Sequence, residues 1–383
     1  MKQLLSPLVT GILLIGINLY LIPSPNATID KDYYIYFLML AVMLCYSIAV
    51  ILNLKYLDVL VKVVLLSLSV FLVPMLLKGR DNALTNMIMS GMLGYLAYES
   101  VSNRHIFFYN LMLLCFFFLS YFAIHGTLED VFFSVGSLVG RNYVGIYLFN
   151  LYVIYYALSL KSNHRPRHYP LFIIFITCLF AGGFSSSLTA LFYLSALFFM
   201  GLSSKNKYRA ILLFAFFITA CYVFSGLFTH TELYNRITTE EIGTDRLILF
   251  SDLAEQMNLK SFFAGLEKNT QFHYHLSSDD TTNNLHNSYL NAFIQSGIFS
   301  LIYIFFFFHV IRSLFRINKM LGILLLGTAI RGITDGYYFT SFITDYMIFY
   351  FYFMSRDKNL LGRNTLLPPL PPNGPRPIIA GAS

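Results

Sequence analysis

The side chains that could do chemistry concentrate in one polar stretch, Thr229 to His286, set in a chain that is otherwise largely apolar. Nine of the 19 acidic residues lie there, with four of the nine histidines and the basic pair Arg236 and Arg246. Gly243-Thr244-Asp245-Arg246-Leu247-Ile248 predicts a helix start, because Thr244 or Asp245 can cap it and apolar residues follow at helical spacing. Arg246 then falls in the first turn, where free backbone N–H groups and the helix dipole favour an anion. A salt bridge to the adjacent acids is the competing role. His286 closes the stretch at the start of an apolar run, in Leu285-His286-Asn287-Ser288-Tyr289-Leu290. An imidazole titrating near neutrality suits removal of a proton from an attacking hydroxyl; a hydrogen-bonded structural imidazole is its alternative.

Other cations fall at similar boundaries. Arg141, with Asn142 after it, opens an apolar run and has no carboxylate nearer than Asp130, so an anionic ligand is the expectation. Arg331 has Asp335 four residues on, which leaves an intramolecular pair and a ligand role equally open. Lys78 and Arg80, beside Asp81, read as a solvated connector. His273-Tyr274-His275 with Asp279 and Asp280 matches no metal-ligand spacing, so neither a metal nor a cofactor is predicted. Ser185 to Ser187 form a polar break with no histidine or acid nearby in sequence to make serine a nucleophile.

These residues need a scaffold, and composition says which kind. At 57% hydrophobic and 12% charged, with a mean hydropathy of +0.63, the chain has too little polar surface to cover a soluble globule. Apolar runs near the length of a bilayer crossing recur throughout. An all-α polytopic membrane protein is expected. Twelve spans are predicted, near 4–22, 33–53, 59–77, 83–98, 106–124, 143–160, 169–183, 187–202, 209–228, 288–311, 320–334 and 338–354, the fourth, seventh, eighth and eleventh being short. Lys and Arg accumulate on the cytoplasmic side of membranes. Alternate connectors carry 17 and nine of the 26 basic residues, which places both termini in the cytoplasm and the polar loop outside. The same bias accounts for the net charge of +7 without a nucleic-acid partner.

The basic, then apolar, N-terminus resembles a signal peptide, but the spans behind it favour an uncleaved first helix. Residues 1–363 are expected to form a single transmembrane domain that includes the 229–286 loop. The Pro-rich segment 364–383 is expected to be a disordered cytoplasmic tail. Cys45, Cys115, Cys178 and Cys221 all fall within predicted spans and read as small core residues.

The ordered motifs resemble the superfamily of O-antigen polymerases and O-antigen ligases, bacterial membrane glycosyltransferases. Gly140-Arg141-Asn142 opens a span; a helix pair breaks at Ser185 to Ser187; Tyr234-Asn235-Arg236, Gly243 to Leu247 and Phe262-Phe263-Ala264-Gly265-Leu266 follow in the loop. Leu285 to Leu290 and Gln295-Ser296-Gly297-Ile298 complete the series, and the likeness covers roughly residues 136–340. It implies a GT-C-like architecture in a bacterial inner membrane, with metal-independent transfer of a glycan from undecaprenyl diphosphate to a sugar hydroxyl at the periplasmic face. Residue by residue, Arg246 and Arg141 would hold the diphosphate, with Arg236 and Arg331 as weaker candidates. His286 would orient or deprotonate the acceptor, and Asn287 would position the acceptor or the loop, with Asn142 beside Arg141. The partners so implied are a lipid-linked oligosaccharide, membrane lipid and a protein that sets chain length. Ligases of the superfamily carry an arginine where this chain has Ser185-Ser186-Ser187, which favours a polymerase over a ligase acting on lipid A-core. A lipid-linked oligosaccharide flippase is the alternative of another class.

Overall fold

The computed structural model describes residues 2–21, 31–79, 81–125, 141–180, 189–196, 244–267, 270–273, 281–282, 285, 287–333, 339, 342–357 and 360. They are mostly helical, as apolar segments must be when backbone N–H and C=O groups have to pair within their own segment. In chain order the helices are α1 (Lys2–Leu21), α2 (Lys31–Leu52), α3 (Lys55–Lys78), α4 (Asp81–Ser100), α5 (Arg104–His125), α6 (Arg141–Lys161) and α7 (Tyr169–Phe180). A helical stretch over 189–196 follows. Then come α8 (Thr244–Gln256), α9 (Leu259–Ala264), α10 (Ser288–Ser296), α11 (Ser300–Ile317), α12 (Lys319–Arg331) and α13 (Phe342–Ser355).

Among the described residues five segments are long and apolar enough to cross a membrane: Tyr33–Leu52, Lys55–Lys78, Arg104–Tyr121, Val144–Lys161 and Ser288–Ile317. Four of them carry large apolar side chains on their outward faces, among them Ile51, Leu65, Phe116 and Phe305, each more than 60% exposed, whereas Val144–Lys161 is largely buried in the bundle. In water that belt would be an aggregation surface; against lipid chains it is the expected solvent-facing composition. The predicted ninth span and the 364–383 tail lie outside the described residues.

One short predicted span is the middle of the bundle. Helix α4 runs 20 residues and packs against α3 and α13. Its small residues permit the approach: a Cβ on Gly91 would lie 2.3 Å from Val63, and one on Gly94 would lie 2.6 Å from the Phe349 Cβ. Small residues let helix backbones close in where lipid supplies no hydrophobic drive for association. At the end where α4 finishes, Lys55 meets Glu99 at 3.2 Å and the Tyr98 hydroxyl donates to Asp357 at 2.8 Å.

The predicted span 288–311 departs from a single helix. It breaks into α10, a 3-10 turn at Gly297–Phe299, and α11. Gly297 sits at φ +56°, and a Cβ there would meet the carbonyl oxygens of Phe262 and Phe263 at 2.5 Å. The break is therefore where α9 of the polar loop docks. The eleventh predicted span also ends earlier than expected, with Arg331 as the last residue of α12.

Candidate functional site

The loop end of the bundle is organised around a junction between α10 and α12, distant in sequence. Asn287 is the N-cap of α10: its Oδ1 accepts from the N–H groups of Tyr289 and Leu290, both at 3.0 Å. Such a cap stabilises a helix by about 1 kcal/mol. Its Nδ2 donates to the Ile333 carbonyl at 3.0 Å, and the Ser288 N–H donates to the Gly332 carbonyl at 2.7 Å. The Tyr289 hydroxyl adds a bond to the Ala329 carbonyl at 2.7 Å. Residues 287–289 are thereby tied to the backbone on either side of Arg331, which is buried, 5% exposed. These bonds assign the Asn287 amide to fixing the loop exit against α12.

The chain beyond Arg331 is pinned from below. Phe339 adopts φ +66°, and its N–H donates to the buried Asp345 carboxyl at 2.8 Å. Its ring packs edge-on against Tyr303, with centroids 4.9 Å apart. A positive φ at a bulky residue persists only where its surroundings fix it. Here the Asp345 bond and the aromatic cage do so.

The polar loop has its own apolar core. Leu249 and Leu253 of α8 pack with Leu266, Phe272, Leu285 and Ile294, and Leu249, Phe272 and Leu285 are fully buried. The expected helix start is present, with α8 beginning at Thr244 and the Arg246 backbone in its first turn. The same core fixes Leu285, which precedes His286 in sequence; the Leu285 N–H donates to Asn291 Oδ1 at 3.1 Å.

Two glycines lock this layer to the bundle. Gly265, at φ +79°, leaves no room for a Cβ, which would lie 2.2 Å from the Ile294 carbonyl oxygen; the Leu266 N–H donates to that oxygen at 2.8 Å. Gly297 receives α9 from the other side. Thus Phe262 to Leu266 and Gln295 to Ile298, two of the segments singled out from sequence, interlock. Asn258 caps α9 through a reciprocal pair of bonds with Ser261, at 2.9 and 2.7 Å.

Charge ties the loop down as well. The expectation of a solvated connector is wrong for Lys78: its side chain is 7% exposed and forms an ion pair with Glu267 of the loop. Nothing local in the sequence signals a partner that far along the chain. Asp252 of α8 accepts from the His273 N–H at 2.8 Å and meets its Nδ1 at 3.0 Å. Partial burial alone would raise the Asp252 pKa; the His273 backbone and ring bonds, with Gln256, outweigh it and hold the carboxyl below the usual carboxylate range. His273 lies on β1 (Phe272–His273), which pairs antiparallel with β2 (Thr281–Thr282). Among the described residues no group of three His, Cys, Asp or Glu could hold a metal ion.

Arg141 and Asn142 open α6, as expected from their position in the sequence. Their side chains, that of Arg246, and all of Arg236, His286 and Asp335 lie outside the described residues. Of the predicted site residues, the structure ties Asn287 to the backbone next to Arg331, and places the Arg246 helix on the same small core as the residue preceding His286. Arg331, the last residue of α12, is buried. No protein-family profile and no curated protein matches the chain.

Proposed function

We propose that this chain is a polysaccharide polymerase of the O-antigen polymerase type, a twelve-span inner-membrane glycosyltransferase with GT-C-like architecture, cytoplasmic termini and a periplasmic loop. The reading rests on the resemblance, and one observation supports it above the others. Leu249, Leu253 and Leu285 share one apolar core, so the helix whose first turn holds Arg246 and the residue beside His286 are positioned by the same packing.

In the proposed reaction His286 takes the proton from an acceptor sugar hydroxyl. The oxygen attacks the anomeric carbon of the donor as the bond to the diphosphate breaks, and undecaprenyl diphosphate leaves. Negative charge grows on the leaving group in the transition state, so fixed cations that gain from it lower the barrier. Arg246 and Arg141 are assigned that part, with Arg331 and Arg236 supporting, Asn142 beside Arg141, and Asn287 holding the loop exit. A protein that sets chain length is the expected partner.

Purified protein supplied with an undecaprenyl-diphosphate oligosaccharide should lengthen the glycan without an energy source. Arg246→Ala and His286→Ala should each reduce the rate on the order of a hundredfold or more while the protein remains in the membrane. Translocation with no new glycosidic bond, or normal chain-length ladders in both variants, would overturn the proposal.

A further inference from the structure

The opposite end of the bundle holds a feature the polymerase reading leaves unused. Where α5 begins and the connector between α6 and α7 passes over it, a cleft of about 270 Å³ opens to the surroundings. Arg104, Arg165 and Arg167 line it, with His105 and His164, and no carboxylate is among its lining residues. At the same end Lys55 is matched by Glu99 and Lys62 by Asp58. The bias of basic residues towards one side of a membrane explains their number, but not their convergence on one concave site.

The cleft also has a built floor. Phe108 and Tyr155 are buried, with ring centroids 5.2 Å apart. The Arg167 guanidinium lies 5.7 Å from the Phe108 centroid, within reach of a cation–π attraction, and engages the Tyr169 side chain. The Arg167 N–H donates to the Tyr155 hydroxyl at 3.0 Å, which fixes the connector over the rings. At the rim Tyr109 and Tyr169 are exposed, 65% and 48%. Exposed tyrosines beside a cluster of cations are the composition of a membrane–water interface.

We propose that this cleft is a binding site for the phosphate of an anionic phospholipid headgroup. Three guanidinium groups around one concave site can offer paired N–H donors to phosphate oxygens, which lysines could not present in the same geometry. The aromatic floor and rim would lie against the glycerol and upper acyl region, which a free anion would leave uncovered. The inference goes beyond the polymerase reading and stands without it.

The test reconstitutes the full-length protein in phosphatidylcholine nanodiscs containing a minor fraction of spin-labelled phosphatidylglycerol, and compares the immobilised fraction with that of spin-labelled phosphatidylcholine. Selectivity for phosphatidylglycerol should fall about fivefold for each arginine removed in Arg104→Ala and Arg167→Ala. Arg165→Ala, on an exposed connector, is the variant least able to disturb folding and should show the same direction. Arg312→Ala removes an exposed cation from α11, outside the cleft, and should leave selectivity unchanged. An equal loss in Arg312→Ala, or no selectivity in the unaltered protein, would overturn the proposal. Displacement of the labelled lipid by millimolar inorganic phosphate would assign the cleft to free phosphate and overturn the lipid assignment.

Discussion

Replacing Gly297 by alanine tests whether the glycine interlock holds the polar loop on the bundle. The Cβ would lie 2.5 Å from two backbone oxygens, those of Phe262 and Phe263, well inside the 3.0 Å that real Cβ contacts respect. Neither oxygen can swing away, because both belong to α9. The backbone is also at φ +56°, ψ −144°, close to a region that only glycine enters readily. Strain of about 1–3 kcal/mol and overpacking of about 1–3 kcal/mol together destabilise the docked state by roughly 2–6 kcal/mol. The large core of the bundle does not include this contact, so the loss is local: α9 lifts and the Leu266 N–H loses the Ile294 carbonyl. Hydrogen exchange by mass spectrometry should report lost protection over 259–297 with the buried α4 unchanged. Gly265→Ala should give the same pattern, and the double variant should be less than additive because both act on one interface. Gly79→Ala separates the two effects, since Gly79 has φ +61° but nothing within 4 Å of its Cβ position. It should carry a strain of only about 1–2 kcal/mol and leave the loop protected. Wild-type protection of the Leu266 amide in Gly297→Ala would refute the interlock.

Asn287→Ala removes two accepted bonds and the strap to Ile333, so thermal stability in detergent should fall by an amount equivalent to about 1–3 kcal/mol. Asn287→Asp keeps the acceptor that caps α10 but not the donor to Ile333, and should recover only the cap's share. The Asp252 carboxyl has a lowered folded-state pKa, so its contribution to loop docking is full above the unfolded value near 3.8 and is lost as pH falls through the lower folded value. Limited proteolysis of the loop should therefore quicken below about pH 4, and Asp252→Asn should show quickened cleavage at neutral pH with a smaller further change on acidification. A loop equally resistant in both proteins across that range would remove the Asp252–His273 pair from the account.

The extent of the helices was legible because their cause is local. Transfer of apolar side chains from water and the need to satisfy backbone groups in lipid act on each segment by itself, and α2, α3, α5 and α6 lie where the hydropathy predicts. The start of α8 was readable to within a residue, since a first turn depends on a few adjacent residues, although Thr244 and Asp245, expected as its cap, lie within the helix. The polar loop stood out for the same reason, and Arg141 opening α6 follows from it. Tertiary structure alone decided what meets what. Gly297 stands in the sequence only as part of the Gln295-Ser296-Gly297-Ile298 motif, and its packing role appears when α9 comes to rest on it; Lys78 reads as solvated until Glu267 covers it. Asn287 could have served an acceptor or the loop, and only the fold of α12 against α10 supplies the Ile333 carbonyl that fixes its amide. Each of these depends on segments far apart in the chain approaching within a few ångströms, and no local preference encodes that distance.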